Sequence, residues 1–111
     1  MGIVKSAEVT PEVIAQGRTR YLVHLSNLMM VAIDFHGGPY PQLDPPHSHP
    51  HEQISYVVSG EINLLLGKEV NHLRPGDIFT VLPNVPHAIQ LLTESARLID
   101  TFTPIREDFL K

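Results

Sequence analysis

The chain of 111 residues contains no cysteine. Its absence excludes disulfide bonds and thiolate ligands, so any metal ion must be held by histidine, carboxylate or amide groups. Positive charge is also scarce: eight Lys and Arg residues stand against twelve Asp and Glu residues, giving a formal net charge of -4 at pH 7. That balance offers no electrostatic footprint for nucleic acid or an anionic membrane. We therefore expect no nucleic-acid partner.

Long apolar runs are absent as well. No run reaches the length that a bilayer-spanning helix needs, and the start of the chain lacks the apolar region of a secretory signal. We therefore expect a cytoplasmic protein with no membrane partner. The length suits a single domain. A hydrophobic fraction of 42% is ordinary for a folded protein, and a charged fraction of 18% argues against disorder.

Helical periodicity is nearly absent, and short strand-like segments recur between strong turn signals. One helical turn is predicted, at 11–15. Gly76, in the turn Arg74-Pro75-Gly76-Asp77, is expected to have a positive φ. The predicted strands are 21–25, 28–35, 54–58, 62–66, 78–82, 88–92 and 96–102. Many short strands without helical crossovers predict an antiparallel sandwich or barrel.

Three histidines within five residues, His47, His49 and His51, dominate the middle of the chain. Side chains at i and i+2 of an extended segment point to the same side, so His47 and His49 can hold one metal ion together. His51 shares that side only if the segment stays extended, and Pro50 favours a turn there. The pattern predicts a metal site that begins with the first two histidines.

Gln53 and His87 can complete that site. They add a carbonyl oxygen and a third nitrogen, and the resulting set leaves positions open for substrate. A His-rich loop can also be plain polar surface or bind metal adventitiously. Against that interpretation, the cluster directly precedes an apolar strand, and His87 lies in a second ordered turn. The ligand types leave the divalent metal open among Zn, Ni, Mn, Fe and Cu.

Two spaced motifs resemble those of the cupin superfamily, small double-stranded β-helix barrels of the RmlC-like jelly-roll type. They read His47-Ser48-His49, Gln53 and Gly60, and then Gly76-Asp77, Pro83, Pro86 and His87. Two positions depart from the superfamily pattern, since Gln53 replaces the usual glutamate and Leu91 an asparagine that is often present. The resemblance implies an all-β, single-domain cupin fold over 1–111.

The end of the chain narrows the resemblance. Residues 100–110, together with 47–53, are similar to the pectin-degradation cupins of the KdgF family, which convert unsaturated monouronates from pectin or alginate into linear ketonised sugar acids. This similarity implies catalytic positions at Asp100, Phe102 and Arg106. It also implies a small anionic substrate such as a sugar acid.

From the residues alone, Asp100, Phe102 and Arg106 can have either a chemical or a structural role. Asp100 shares a strand face with Leu98 and Phe102, so it lies inside the barrel if they do. A buried carboxylate is costly unless it is paired. Arg106 could fold over the barrel mouth and bind a substrate carboxylate bidentately. Alternatively, Asp100 and Arg106 form a structural ion pair that pins the tail, with Phe102 in the core.

Two other functions stay open at this point. One is a cupin dioxygenase, which often needs a metal-linked glutamate base that Gln53 does not supply. The other is a non-catalytic, metal-dependent cupin that only binds a small molecule. In a binding module we expect Asp100 on the outer face.

The N-terminal segment, 1–25, lies outside both motifs, ahead of a barrel core at 28–103 and a tail at 104–111. It is free to cover a sheet edge or to pair across a two-fold axis, so we expect a homodimer. The residues that could supply apolar contact are Leu22, Leu25, Leu28 and Met30. His51 and Glu52 are expected at a solvent-facing strand start, with a contact to substrate or to a metal ligand as the alternative.

Overall fold

Nine β-strands form two antiparallel sheets in the computed structural model, which describes residues 2–110. The strands are β1 (Glu12–Ala15), β2 (Arg18–His24), β3 (Met29–Phe35), β4 (Glu52–Ser59), β5 (Ile62–Leu66), β6 (Glu69–Leu73), β7 (Ile78–Val81), β8 (His87–Leu91) and β9 (Ala96–Thr103). Short 3₁₀ helices at Ser6–Glu8 and Glu107–Leu110 flank them. Met1 and Lys111, the ends of the predicted segments 1–25 and 104–111, lie outside the described residues.

The larger sheet has the order β1-β2-β3-β9-β4-β7 and the smaller one β6-β5-β8. Apolar side chains from the inner faces of both sheets form the main core: Phe35, Val57, Ile62, Leu64, Phe79, Val81, Leu91, Ala96 and Leu98. The all-β, single-domain jelly-roll prediction is therefore confirmed. Across residues 2–110, no helix is long and apolar enough to cross a membrane.

β4 and β9 lie side by side and alternate between buried and exposed residues. As predicted, Asp100 shares the inner face of β9 with Leu98 and Phe102. In the strand register Ser55 is paired with Asp100, and Gln53 with Phe102. Strand alternation thus places two polar side chains of β4 beside the carboxyl group of β9.

The Gly- and Pro-rich loop before the His cluster runs along β8. The amide of Asp44 donates to the carbonyl of Ile89 at 3.1 Å. Further along, His47 and His87 exchange backbone hydrogen bonds of 3.0 and 2.9 Å. The loop therefore acts as an irregular strand, and its pairing sets which side chains face the barrel interior.

One local prediction is wrong, and one strand was not predicted. The helical turn predicted at 11–15 is wrong, because Glu12–Ala15 forms β1 and pairs with β2. Pairing supplies backbone hydrogen bonds that a single isolated turn could not provide. The sequence also gave no prediction for Glu69–Leu73, which pairs with β5 across the turn at Gly67.

Two motif glycines have clear structural roles. Gly76 has a φ of +94°, as predicted for its turn. Gly60 has a φ of +75°, and a Cβ there would lie 2.2 Å from the Ser95 carbonyl oxygen. Only glycine avoids both the backbone strain and this clash.

Candidate active site

Three histidines meet at one end of the barrel. His47 and His49 lie on the segment that leads into β4, and His87 is the first residue of β8. One nitrogen from each ring can be chosen so that all three lie within 4.8 Å of one another. The backbone bridge between His47 and His87 holds their ring centroids 4.2 Å apart. The structure thus brings together the three histidines that the motifs indicated.

Gln53 lies against this cluster. Its Oε1 is 3.0 Å from His49 Nε2, while His49 Nδ1 is 3.1 Å from the His51 carbonyl oxygen. A neutral imidazole carries one N–H, so it can donate to only one of these two oxygens. The remaining nitrogen then directs its lone pair at an oxygen lone pair. A metal ion held by Nε2 and Oε1 would remove that conflict, so the donor set fits a metal ion.

Hydrogen bonds on the far side of the ligand atoms fix their orientation. His87 Nδ1 lies 2.9 Å from the Val85 carbonyl oxygen, a contact that commits Nδ1 to donate and leaves Nε2 free. The Gln53 amide donates to Ser55 Oγ at 2.9 Å, which turns its Oε1 toward His49. Such outer contacts are typical of metal-binding histidines and amides.

The histidines are held in the neutral form that a metal requires. Burial, and then the repulsion that a positive charge on His87 or His49 would exert, lowers the pKa of His47 to about 4. Burial also lowers the pKa values of His49 and His87, and the positive charge of Arg106 acts in the same direction. Near neutral pH no proton has to be displaced from these rings.

A hydrogen-bonded chain links the ligand group to a buried carboxyl group. Ser55 Oγ donates to Asp100 Oδ1 at 2.5 Å, and Gln53 in turn donates to Ser55. Burial raises the pKa of Asp100 to about 6, although the hydrogen bond from Ser55 opposes the shift. The carboxyl group therefore has polar support, and no residue among 2–110 forms an ion pair with it in direct contact.

Arg106 folds back over this end of the barrel on the C-terminal segment. Its guanidinium lies 4.1 Å from the ring centroid of Phe109 and 5.3 Å from that of Phe102. In the described part of the chain its carboxylate partner is Asp108, at 2.8 Å, rather than Asp100. The alternative of an Asp100–Arg106 ion pair that pins the tail is therefore not what the structure contains.

A cavity of about 130 Å³ connects these groups. Pockets for drug-sized ligands span about 300 to 1,000 Å³, so this one favours a small ligand. Apolar side chains such as Phe35, Phe79, Phe102 and Phe109 form much of its wall. The polar residues that line it are Arg18, Asp44, His47, Gln53, His87, Asp100 and Arg106.

Comparison with known proteins agrees with this architecture. The family profile described as the cupin domain matches residues 39–102, more than half of the chain. The chain belongs to the cupin family. Over 101 residues it is 37% identical to the pectin degradation protein KdgF of Dickeya dadantii, and the match covers 89% of each chain.

Two solved structures are similar to this cupin over nearly its whole length. An RmlC-like cupin from Shewanella frigidimarina has 35% sequence identity and a TM-score of 0.88, with 98% of this chain and 96% of that one covered. KdgF from a Halomonas species has 32% identity and a TM-score of 0.84, with 95% and 94% covered. Both likenesses extend beyond the two cupin motifs to the N-terminal strands.

Sequence reasoning missed two polar residues of the cavity, Arg18 and Asp44. Neither has motif spacing, and they are 26 residues apart in the chain. The predicted strand 21–25 also leaves out Arg18. In the structure Arg18 is paired in register with Phe35 of β3, which is buried. Because paired residues share a sheet face, an arginine at this position of the cupin points inward.

The neighbours of the His cluster divide between surface and interior. Glu52 is exposed at the start of β4, as expected. His51 is only partly exposed, with its ring centroid 5.5 Å from that of His49, and its Nδ1 is buried without a partner among the described residues. The expectation of a solvent-facing position thus holds for Glu52 but not for His51.

Proposed function

We propose that this cupin is a metal-dependent enzyme that converts unsaturated monouronates, such as those released from pectin or alginate, into linear ketonised sugar acids. The observation that carries the proposal is the position of Asp100. The residue lines the same small cavity as His47, His87 and Arg106. The similarity to KdgF proteins from two organisms supports the substrate class.

A single divalent transition metal ion, Zn, Ni, Mn, Fe or Cu, would be held by His47, His49, Gln53 and His87. When bound, the ion would polarise substrate oxygen atoms and attract a substrate carboxylate. All four side chains are neutral donors, so the protein contributes no negative charge to this set. That composition favours an anionic ligand in the cavity.

Arg106 is the group that we assign to the substrate carboxylate. Its guanidinium is largely shielded from solvent, with 14% of the side chain exposed, and it lines the cavity. Stacking on Phe102 and Phe109 fixes its plane, and a planar guanidinium can bind a carboxylate through two parallel hydrogen bonds. Phe102 thus both packs against the substrate-binding group and faces the reacting part of the cavity.

The proposed reaction is an isomerisation that needs no oxidant, reductant or water. The anomeric hydroxyl loses its proton, and the bond between the anomeric carbon and the ring oxygen breaks to leave an aldehyde. The ring oxygen becomes a ketone as the carbon–carbon double bond shifts its electron pair to the methine carbon, which takes up a proton. Asp100 would accept the first proton and deliver the second.

The geometry favours this proposal over the two alternatives. A passive binding module was expected to carry Asp100 on its outer face, whereas here the residue is buried beside the ligand group. A dioxygenase often uses a metal-linked glutamate base, and Gln53 provides an amide in that place. If the protein consumed oxygen in the presence of a flavonol, thiol or diketone, the dioxygenase would become the preferred function over the uronate isomerase.

The direct test follows the ultraviolet absorbance of unsaturated galacturonate with protein whose metal content has been measured. Wild-type protein should accelerate the loss of absorbance, and D100N should reduce kcat by about a hundredfold or more. The matched control is D34N, which removes the same charge from the ion pair with Arg97 on the outer face of β3, away from the cavity. If fully metallated wild-type protein leaves the decay rate unchanged, the substrate assignment is wrong while the fold stands.

A further inference from the structure

Arg18 and Asp44 form a forked ion pair in the cavity wall, outside the groups assigned to chemistry above. Arg18 Nη2 donates to Asp44 Oδ1 at 2.7 Å, and Nη1 lies 2.6 Å from Oδ2. About a quarter of each side chain is exposed, 24% for Arg18 and 30% for Asp44. The pair is therefore accessible, and it is held by two parallel contacts.

Both partners are fixed before any ligand arrives. The Arg18 guanidinium lies 5.3 Å from the ring centroid of Phe35 and 5.4 Å from that of Tyr40. The backbone of Asp44 is held by its hydrogen bond to the Ile89 carbonyl. A ligand that binds here would meet a preorganised group and lose little binding free energy to ordering it.

The pair lies next to the histidine cluster. Asp44 is paired with Ile89 and His47 with His87, and these two residues of β8 are two positions apart on one strand face. Both of them line the cavity. A ligand that reaches the histidines can thus extend along the same wall to the ion pair.

The chemistry of the pair suits hydroxyl groups. Each Asp44 oxygen keeps a free lone pair, and the Arg18 guanidinium keeps N–H groups that the fork does not use. A hydroxyl can donate to the first and accept from the second. A second carboxylate would be repelled by Asp44, which contacts both Nη atoms of Arg18 and already neutralises the cation. Arg106 differs, because Asp108 contacts its Nε and Nη2 but not its Nη1, and Asp108 is 56% exposed, so solvent screens its charge.

We propose that Arg18 and Asp44 form a hydroxyl-binding subsite that selects polyhydroxylated anions over plain carboxylates. The proposal rests on the proposed function only in taking the ligand to be a sugar acid. It assigns the sugar hydroxyls to this pair and the carboxylate to Arg106 and the candidate metal site. Recognition of the two ends of the substrate is thereby divided between separate groups.

Calorimetric titration of zinc-loaded protein with two inert ligands tests this division. One is galacturonate, and the other is tetrahydropyran-2-carboxylate, which keeps the ring and the carboxylate but has no hydroxyls. Wild-type protein should prefer galacturonate, and D44N should lower the ratio of the two affinities by about tenfold, the value of one charge-assisted hydrogen bond. R18K keeps the charge without the fork and should also lower the ratio.

The control is D34N, because Asp34 forms the same forked contact with Arg97, at 2.6 and 2.8 Å, on the exposed side of the sheet. It should leave the ratio unchanged. A wild-type protein without a preference, or D44N and R18K variants that keep the wild-type ratio, would overturn the subsite. Because the titration needs no turnover, an altered ratio in protein that does not act on unsaturated uronates would reject the proposed function and retain the subsite.

Discussion

Gln53 determines the formal charge of the candidate metal site. With three histidines it makes a neutral donor set, whereas a glutamate would bring a negative charge into a partly buried position. Its amide also donates to Ser55, which in turn donates to Asp100. The same side chain therefore both offers an oxygen to a metal and orients the carboxyl group that we assign to proton transfer.

We expect Q53E to tighten metal binding and to weaken substrate binding. The added carboxylate attracts the cation and repels an anionic substrate, so KM should rise by about tenfold or more at the short distances of this site. Competition with a chelator gives the metal affinity, and steady-state kinetics gives KM. An unchanged metal affinity in Q53E would show that residue 53 is not a ligand.

At the level of single residues, short-range spacing was the informative signal. His47, His49, Gln53 and His87 were predicted as ligands from motif spacing. Strand alternation predicted that Asp100 shares a face with Leu98 and Phe102, and its catalytic role was implied by the resemblance to the KdgF family. Arg18 and Asp44 could not be found in this way, because their contact is created only when β2 and the loop before the His cluster come together in the barrel. No local sequence pattern predicts a contact between residues so far apart in the chain.

Among the structural elements, β9 joins the core to the site. Leu98 is fully buried between β3 and β4, two residues from Asp100. We expect L98A to lower the free energy of unfolding by about 2 to 5 kcal/mol, because it leaves a cavity in the packed core. The control is I54T, which keeps β-branching at a site that is 56% exposed. It should change the free energy of unfolding by about 0.5 kcal/mol or less. Urea unfolding measures both variants, and equal losses would contradict this account of the core.

The C-terminal 3₁₀ helix holds Arg106 in place through Phe109. The Phe109 ring contacts two guanidinium groups: its centroid is 4.2 Å from that of Arg20 and 4.1 Å from that of Arg106. We expect F109A to raise KM by about threefold to tenfold while kcat changes less, because the guanidinium that we assign to the substrate carboxylate loses one stacking contact. L110A, at a position that is 45% exposed, is the control. Identical kinetics in the two variants would show that Phe109 does not position Arg106.

The sequence predicted most strands but not β1 and β6, which lack a clear hydrophobic periodicity. Apolar alternation marked β4 and β9 clearly, whereas β6 is polar and nearly all exposed, so it has no periodic signal. β1 was mistaken for a helical turn because four residues are too few to show either period. Both elements are defined by backbone pairing with a neighbouring strand, which the sequence alone does not display.

The whole molecule carries an exposed apolar face that suits self-association. Leu25 is 72% exposed, Leu28 55% and Met30 53%, and β1 and β2 extend the larger sheet beside them. We expect a homodimer, with a mass in light scattering twice that of the chain at micromolar concentration. Polar replacement of Leu25 and Leu28 by serine should shift a dimer toward monomer. V70S, on the smaller sheet, should not. A monomer mass for the wild-type protein would refute the dimer.

For the molecule as a whole, the central claim is that Asp100 transfers a proton to the substrate from one side of the cavity. ¹H NMR spectroscopy of the product formed from unsaturated galacturonate in heavy water tests this claim directly. Asp100 lies on one wall of a chiral cavity, so wild-type protein should place deuterium at one of the two positions on the former methine carbon. The uncatalysed reaction and D100N should give both. An accelerated wild-type reaction with the same mixture as the uncatalysed one would contradict the account.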